Sequence, residues 1–527
     1  MIKIGRFFLP ADIDLRKRRL ELLTWAFLLS FSFHPGIFGF LAWLSLIRPM
    51  LIIAKLKGRQ AFNAAYFFSF FFMLFSLYWV ALVTPPGMVA AIVIVAFYYT
   101  AILMIFNHLY KIKPTWAFVA MPFLWVGMEY FRTLSEFAFP WSDLGYSQSY
   151  YLYILQIVSV VSVHGLSFLI VTVNVLLCQL LRRSVSPERK LTSLFVSLAI
   201  ISGLVAYGWV VTPPYPVPGT VNVALMQGSV PLEIKCAKGN SEYSFRLYDS
   251  LTQAVDDTTI DLYVWPETSV PAYLSHDSFA RRKVGRIAAS SSTPHLVGAL
   301  AATNVDGKYH HHNSCYQFDS SGKMVERYDK MRLVPFSEHV PYQDYLPFLQ
   351  EGFLRKYLTF IDSWGVQWWS DFYPGDSAKL FELDSHLYGV LICFECAFPE
   401  FVRQSILDGA DFMVGITNDT WFGRSVGIHQ HSRIFITRAV ENRCWMARIA
   451  NSGLTFIVDR YGRVRDQLEP YKVTTLVSQV GVLDRFSVYT RVGDIVGISS
   501  FLFTISIGCI FIFLWFIRKL LVLIRRL

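Results

Sequence analysis

Charged residues are scarce in this sequence. Asp, Glu, Lys and Arg make up 16% of its 527 residues, whereas soluble domains average about 25%. Hydrophobic residues make up 54%, and the mean hydropathy is +0.40. We see neither an internal repeat nor a low-complexity linker. This composition excludes an ordinary soluble protein, and it indicates that much of the chain lies in lipid.

Long apolar runs occupy both ends of the chain. A bilayer crossing needs roughly 20 apolar residues, and we predict about eight such helices. A cleaved signal peptide is not expected, because further apolar runs follow the first one immediately. The predicted spans are 20–34, 37–54, 64–83, 88–109, 115–131, 154–181, 191–212 and 494–517.

Basic charge is distributed unevenly. Residues 213–490 carry 26 Lys+Arg and 30 Asp+Glu, which leaves 22 against 8 for the remainder. The loops 34–36, 84–87 and 132–153 contain one basic residue, Arg132. Because short cytoplasmic loops are enriched in Lys and Arg, both termini are predicted to be cytoplasmic. Nucleic-acid binding is therefore not expected despite the basic isoelectric point.

Three regions follow from these patterns. We predict a membrane domain over 1–212, an extracytoplasmic α/β domain over 213–490, and a C-terminal span with a basic tail over 491–527. The proline-rich segment 213–218 marks the first boundary. In the middle region short β-rich runs alternate with amphipathic stretches, which favours one layered α/β domain. The predicted strands are 221–226, 262–265, 295–301, 315–318, 388–393, 412–416 and 455–458, and the predicted helices are 241–255, 279–289, 399–408 and 429–448.

Cys393 is a candidate nucleophile because it ends an apolar, strand-like run and is followed by Glu395. A free thiol with a pKa near ~8.5 is a weak nucleophile at neutral pH, so a catalytic cysteine needs a base or a cation beside it. Glu267 can accept the proton. Lys330 can stabilise a thiolate and the oxyanion formed when the thiolate attacks a carbonyl, and the backbone N–H of Phe394 is a second oxyanion donor. Alone, each residue has an ordinary structural interpretation.

These residues carry a family resemblance. Trp265-Pro266-Glu267, Tyr328-Asp329-Lys330 and Ile392-Cys393-Phe394-Glu395 resemble the three signatures of the carbon–nitrogen hydrolase (nitrilase) superfamily, which implies a Glu-Lys-Cys triad in an α-β-β-α sandwich. Further motifs narrow the resemblance to the bacterial apolipoprotein N-acyltransferase family, and it covers nearly the whole chain. Those motifs are Gln227-Gly228 with Pro231, Leu333–Phe336 with Glu338, Asn418–Gly423, and Arg438-Ala439 with Glu441 and Asn442.

The resemblance implies a reaction in two halves. Cys393 takes an acyl chain from a membrane phospholipid as a thioester, then passes it to the N-terminal amine of a diacylglyceryl-modified apolipoprotein. No cofactor or metal is implied, and a monomer in the bacterial inner membrane with its catalytic domain in the periplasm is expected. Glu338, Phe394 and Glu395 are supporting positions, whereas Trp421 and Cys236 are assigned to substrate binding. Apolar residues of the insertion 342–374 are candidates for a lid.

The chain departs from the family pattern at a few positions. Phe394 stands where a tyrosine is common, Cys236 where a tryptophan is common, and Ser337 where a glycine is common, so acceptor preference stays open. A membrane-tethered hydrolase with the same triad is the alternative function, and a non-enzymatic lipid-binding protein is a third. Other open interpretations are a redox or zinc pair formed by Cys393 and Cys396, a metal site at His310–His312, and a functional His164 in a span.

Overall fold

The computed structural model describes residues 13–216, 218–235, 241–255, 259–346, 348 and 372–524. Cys236 and the apolar residues proposed for a lid, at 353, 354, 364, 368 and 369, lie outside this range. The chain divides into two compact units. The first combines the chain up to Tyr78 with Met88–Gly208 and the chain from Asp494, and the second combines Trp79–Gly87 with Trp209–Gly493. The predicted domain boundaries stay predictions.

The first unit is helical. Pro187 and Pro114 each begin a helix, a position where the missing proline N–H has no cost. A residue with non-helical backbone angles, Ser162, kinks the long helix α7. The helices are α1 (Ile13–Phe31), α2 (Ile47–Lys55), α3 (Gly58–Leu77), α4 (Pro85–Ile112), α5 (Pro114–Phe131), α6 (Leu152–Leu155), α7 (Val158–Leu181), α8 (Pro187–Val211) and, later in the chain, α15 (Ile495–Ile524), with 3-10 turns at Ile37–Trp43, Tyr78–Leu82 and Leu144–Gln148.

Within the described residues, six segments are long and apolar enough to cross a membrane. They are Ile37–Lys55, Gly58–Leu82, Pro85–Ile112, Val158–Leu181, Pro187–Val211 and Ile495–Ile517. The prediction of a polytopic helical domain is confirmed, but the count of eight is not. The two other predicted spans form helices, α1 and α5, whose composition is less apolar because α1 begins with a basic cluster and α5 contains Pro122 and Glu129.

His164 lies in a buried charged cluster of this first unit. Its Nδ1 contacts the Asp494 carboxylate, and its Nε2 lies 3.6 Å from Asp143 Oδ2. Asp143 also pairs with Arg132, and both side chains are 1% exposed. Ser162 Oγ donates to Asp494 Oδ1 at 2.7 Å. His164 is thus more than an apolar packing residue, since it joins α7 to the residue that precedes α15.

The second unit contains two sheets that face each other. One has the order β13-β1-β2-β4-β5-β6 with β3 beside β4, and the other has the order β12-β11-β10-β9-β8-β7. The strands are β1 (Val221–Gln227), β2 (Leu262–Val264), β3 (Val270–Tyr273), β4 (His295–Val305), β5 (Lys308–Phe318), β6 (Met324–Asp329), β7 (Leu380–Leu383), β8 (His386–Ile392), β9 (Phe412–Thr417), β10 (Met446–Ala450), β11 (Phe456–Val458), β12 (Val464–Gln467) and β13 (Thr474–Val480).

Side-chain alternation along the strands builds the layers. Val223 and Leu225 of β1 pack in one buried cluster with Val390 and Ile392 of β8, so the sheets meet face to face. Met226, on the opposite face of β1, belongs to a second cluster that includes residues of helices α10 and α11. The helices are α9 (Leu232–Lys235), α10 (Ser241–Gln253), α11 (Ser278–Ser291), α12 (Pro399–Leu407), α13 (Val426–Asn442) and α14 (Val488–Val492), with 3-10 turns at Cys393–Ala397 and Asp419–Phe422. The expected α/β sandwich is confirmed.

One predicted helix is wrong in its extent. The prediction over 429–448 merged two elements, because no glycine or proline marks a break between them. Helix α13 starts at Val426, capped by Ser425 Oγ accepting from the Gly427 N–H at 3.1 Å, and ends where Arg443 adopts a left-handed conformation. Arg448 then lies on the buried strand β10, parallel to β9.

Candidate active site

The three candidate catalytic residues each follow the end of a strand. Glu267 lies just after β2, Lys330 directly after β6, and Cys393 directly after β8. Strand β2 is parallel to β4, and two antiparallel pairings through β5 give β6 the same direction. The ends of β2 and β6 therefore share one sheet edge, where functional groups collect in α/β proteins. Cys393 interacts electrostatically with both Glu267 and Lys330, so the facing sheet contributes to the same site.

Lys330 lies between two carboxylates. Its Nζ is 2.8 Å from Glu338 Oε1 and 3.5 Å from Glu267 Oε1, and its side chain is 1% exposed. Burial alone would lower the pKa of Lys330, but Glu338 and Glu267 raise it above its ordinary value. The lysine is therefore a permanent cation rather than a base.

Asn313 fixes the same two carboxylates. Its Nδ2 donates to Glu267 Oε1 at 2.7 Å and to Glu338 Oε1 at 3.1 Å. Glu338 also accepts from the backbone N–H of Val334 at 2.9 Å. On β4, Gly298 allows the Glu267 segment to approach, since a Cβ there would be 2.3 Å from the Pro266 carbonyl oxygen. The acid is thus held by side chains and by backbone packing.

Cys393 adopts a left-handed backbone conformation, with φ of +53°. Such a conformation is costly for a non-glycine residue and is found preferentially at functional sites. Burial is the main cause that raises the pKa of the Cys393 thiol well above its ordinary value; Glu267 raises it further, whereas Lys330 and a hydrogen bond with Thr417 lower it. The thiol is therefore protonated at neutral pH, and attack requires a base in contact with it.

Glu395 connects the segment after Lys330 to the segment before Cys393. Its Oε1 accepts from Tyr328 Oη and from the backbone N–H of Met331, both at 2.7 Å, and its Oε2 accepts from the N–H of Ile392 at 2.7 Å. Burial raises the pKa of this fully buried carboxyl, and the hydrogen bonds oppose that effect. Glu395 thus holds in place the two chain segments that carry Lys330 and Cys393, through hydrogen bonds to Met331 and Ile392.

The other predicted positions are distributed as follows. Phe394 is buried and packs edge-on against Phe398, with ring centroids 5.3 Å apart. Trp421 lies on the 3-10 turn that follows β9.

Cys396 is a free buried thiol, as are Cys315 and Cys444. The histidines at 310–312 lie on β5, and His310 stacks on Tyr373 with the ring centroids 3.7 Å apart. No group of side chains that could hold a metal ion occurs in the described part of the chain.

Sequence reasoning missed several buried polar residues of this region. Asn313 follows the three histidines on β5, and its strand position carried no distinctive signal. Lys235 Nζ donates to the Glu267 carbonyl oxygen at 2.7 Å. Asp419, His431 and Arg448 form a buried network that contacts the Cys393 carbonyl oxygen. The only signal for Asp419 was its place in the motif Asn418–Gly423, and Arg448 was assigned to the wrong element.

The facing sheets and the acid, lysine and cysteine at one edge define an enzyme fold of the carbon–nitrogen hydrolase type. Residues 222–482 match the family model described as carbon-nitrogen hydrolase, and residues 25–176 match the one described as apolipoprotein N-acyltransferase N-terminal domain. A solved amidase from Nesterenkonia aligns over 51% of this chain and 93% of its own, with 16% identity and a TM-score of 0.35.

Curated relatives match nearly the whole chain. The apolipoprotein N-acyltransferase of Geobacter metallireducens is 31% identical over 503 residues, which are 92% of this chain and 94% of the relative. The enzyme of the same name from Chlorobaculum tepidum is 31% identical over 485 residues, covering 86% and 89%. The chain belongs to the apolipoprotein N-acyltransferase family.

Proposed function

We propose that this protein transfers an acyl group from a membrane phospholipid to the N-terminal amine of diacylglyceryl-modified apolipoproteins, through a thioester on Cys393. The observation that supports this most is that Lys330 Nζ lies 3.5 Å from Glu267 Oε1, while Glu395 accepts from the N–H groups of Met331 and Ile392, the residues next to Lys330 and Cys393. The family membership supplies the substrate class. Glu267, Lys330 and Cys393 are the proposed catalytic residues.

In the first half-reaction the Cys393 sulfur attacks the ester carbonyl of the phospholipid while Glu267 accepts the thiol proton. The raised pKa of the thiol makes this base assistance necessary. Lys330 stabilises the oxyanion because it stays charged between its carboxylates. The carbon–oxygen bond of the ester then breaks, and the departing lysophospholipid oxygen takes the proton from Glu267.

In the second half-reaction the N-terminal amine of the apolipoprotein attacks the thioester carbonyl. Glu267 accepts a proton from the amine, the carbon–sulfur bond breaks, and the thiolate of Cys393 regains the proton. A thioester is close in energy to the ester from which it forms, and its conversion to an amide is downhill. The same acid can serve both halves because it returns to its carboxylate form between them.

Both substrates are membrane-anchored, which accounts for the helical unit. We propose that the apolar helices anchor the catalytic domain of residues 213–490 on the periplasmic side of the bacterial inner membrane, as a monomer with both termini in the cytoplasm. The scarcity of basic residues in the loops 34–36, 84–87 and 132–153 supports this orientation. Anchoring confines the search for lipid to two dimensions, which favours productive encounter.

Product analysis tests this function. Purified enzyme is incubated with phospholipid carrying a labelled acyl chain, with and without a synthetic diacylated lipopeptide. We expect label on the lipopeptide amine, none with Cys393→Ala, and wild-type behaviour with the matched control Cys509→Ala, since Cys509 is exposed on α15. Label found only in free fatty acid would instead show a hydrolase.

A further inference from the structure

His431 contacts the backbone of Cys393, the proposed nucleophile. It projects from α13, is 1% exposed, and both of its ring nitrogens contact oxygen atoms. Nδ1 is 2.9 Å from Asp419 Oδ1, and Nε2 is 3.2 Å from the carbonyl oxygen of Cys393. The imidazole therefore connects a buried carboxylate to the backbone of the catalytic residue.

The two oxygens favour a doubly protonated ring. A carboxylate and a peptide carbonyl are both acceptors, so each ring nitrogen can donate a hydrogen to one of them, while Arg448 Nη2, 3.1 Å from Nδ1, donates to Asp419 Oδ2. Burial alone would lower the pKa of His431, but Cys396 and Asp419 raise it to about 9. The ring is therefore an imidazolium at neutral pH, facing a carboxylate, the carbonyl and the Cys396 thiol.

Hydrogen bonds from Arg448 and Thr417 fix the position of the Asp419 carboxylate. Arg448 Nη2 donates to Asp419 Oδ2 at 2.7 Å and lies 3.1 Å from His431 Nδ1, and Thr417 Oγ1 donates to Asp419 Oδ1 at 3.0 Å. Burial alone would raise the pKa of Asp419, but Arg448 and His431 lower it below its ordinary value. His429 and Arg433 are further titratable residues on α13, each two positions from His431 along the chain.

The contact acts on a single peptide unit. The carbonyl that His431 contacts belongs to the peptide that links Cys393 to Phe394, and the N–H of that same planar unit points to the opposite side. Fixing the carbonyl therefore fixes the direction of the Phe394 N–H. A hydrogen bond from a cation to the carbonyl also polarises the unit and strengthens its N–H as a donor.

We propose that His431 is a positioning residue that orients and polarises the Cys393–Phe394 peptide, so that the Phe394 N–H stabilises the oxyanion together with Lys330. This role rests on the proposed function, because it concerns the same acyl-transfer step. It also explains how the left-handed conformation of Cys393 is maintained, since the contact restrains its carbonyl group.

Single-turnover acylation of Cys393 by phospholipid tests the role, with the adduct followed by intact-protein mass spectrometry. His431→Gln retains a neutral donor and His431→Leu retains none. We expect the maximal acylation rate to fall about 100-fold in His431→Leu, the lower end of the range that loss of one oxyanion donor produces, and about 10-fold in His431→Gln, which keeps part of the effect. The phospholipid concentration for half-saturation is expected to stay unchanged. His429→Gln, two residues earlier on the same helix, is the matched control.

The pH dependence separates this role from a purely structural one. The ratio of the wild-type rate to that of His431→Gln should be constant below a pH of about 9 and should fall towards one above it, because the imidazolium loses its proton there. Asp419→Asn provides a second variant. In that background the pH above which the effect of His431 is lost should be lower, since the Asp419 carboxylate stabilises the imidazolium.

Equal rates in wild type and both His431 variants would overturn the role, and so would a ratio of the wild-type rate to the His431→Gln rate that does not change between pH 7 and 10. A rise in the half-saturating phospholipid concentration at unchanged maximal rate would also contradict it. Absence of any adduct on wild-type Cys393 would refute the proposed function instead, so the two failures are distinguishable.

Discussion

Glu395 accepts a hydrogen bond of 2.7 Å from the backbone N–H of Met331. Met331 follows the proposed catalytic lysine, and Glu395 lies two residues after the proposed nucleophile. Through its second oxygen the same carboxylate accepts from Ile392, the residue before Cys393. One buried side chain thus sets the separation of two proposed catalytic residues that come from different sheets.

Replacement of Glu395 by Gln should disturb this separation. The amide offers one acceptor oxygen in place of two and directs its own hydrogens at a backbone donor. A buried donor left without a partner costs about 1–3 kcal/mol, so we expect the free energy of unfolding to fall by that amount and Cys393 acylation to slow at least 10-fold. Chemical denaturation and the single-turnover assay measure the two effects. Glu326→Gln, an exposed change on β6, is the control and should alter neither quantity.

Alkylation of Cys393 by iodoacetamide should report opposite effects of its two charged neighbours. Burial is the main cause of the raised thiol pKa, Glu267 raises it further and Lys330 lowers it. The pH midpoint of alkylation should therefore lie above that of an ordinary cysteine, move down in Glu267→Gln and move up in Lys330→Met. Both variants should nevertheless lose acyl transfer.

Cys393→Ser supplies the background labelling of the other cysteines in that experiment. Midpoints that move in the same direction in both variants would show that Glu267 and Lys330 do not act on the thiol as proposed.

Asn313→Asp should place a third carboxylate beside Glu267 and Glu338. The native amide donates to both of them, at 2.7 and 3.1 Å, whereas an ionised carboxylate in its place repels both. We expect acylation to fall about 100-fold at pH 8 and to recover in part towards pH 6, as one carboxyl of the group takes up a proton. The rate is measured at both pH values.

Asn304→Asp is the matched control for that substitution, because this exposed side chain accepts from the Gly307 N–H through an oxygen that aspartate retains. It should leave the acylation rate unchanged at either pH. An unchanged rate in Asn313→Asp as well would exclude Asn313 from the site.

Asp494→Ala should destabilise the helical unit. Asp494 contacts His164 and accepts from Ser162 Oγ, and removal of one partner from a buried ion pair costs about 3–5 kcal/mol. The melting temperature in detergent should fall by several degrees, whereas Asp14→Asn at the exposed start of α1 should leave it unchanged. An unaltered melting temperature in Asp494→Ala would mean that the cluster adds no stability.

The sequence predicted those features that depend on local pattern. The apolar run that precedes Glu267 and the one that ends on Cys393 predicted β2 and β8, and two further β-rich runs predicted β1 and β9. The break after Asn442 was missed because the following residues are as apolar as the helix before them, and a left-handed Arg443 leaves no sequence mark. Asp419, His431 and Arg448 come from three separate elements, so only the folded chain shows that they meet. Six of the eight predicted spans have the length and composition of a membrane crossing within the described residues; α1 and α5 do not, because they carry charges or a proline that a helical pattern tolerates.

The most direct measurement of the central proposal is the mass of the purified enzyme after exposure to phospholipid without acceptor. We predict that the enzyme gains one acyl chain, that peptide mapping places it on Cys393, and that neutral hydroxylamine removes it as it does a thioester. Addition of a diacylated lipopeptide should then return the enzyme to its original mass while the peptide gains the chain. An acyl chain on another residue, or a turnover-competent enzyme that never carries one on Cys393, would contradict the account.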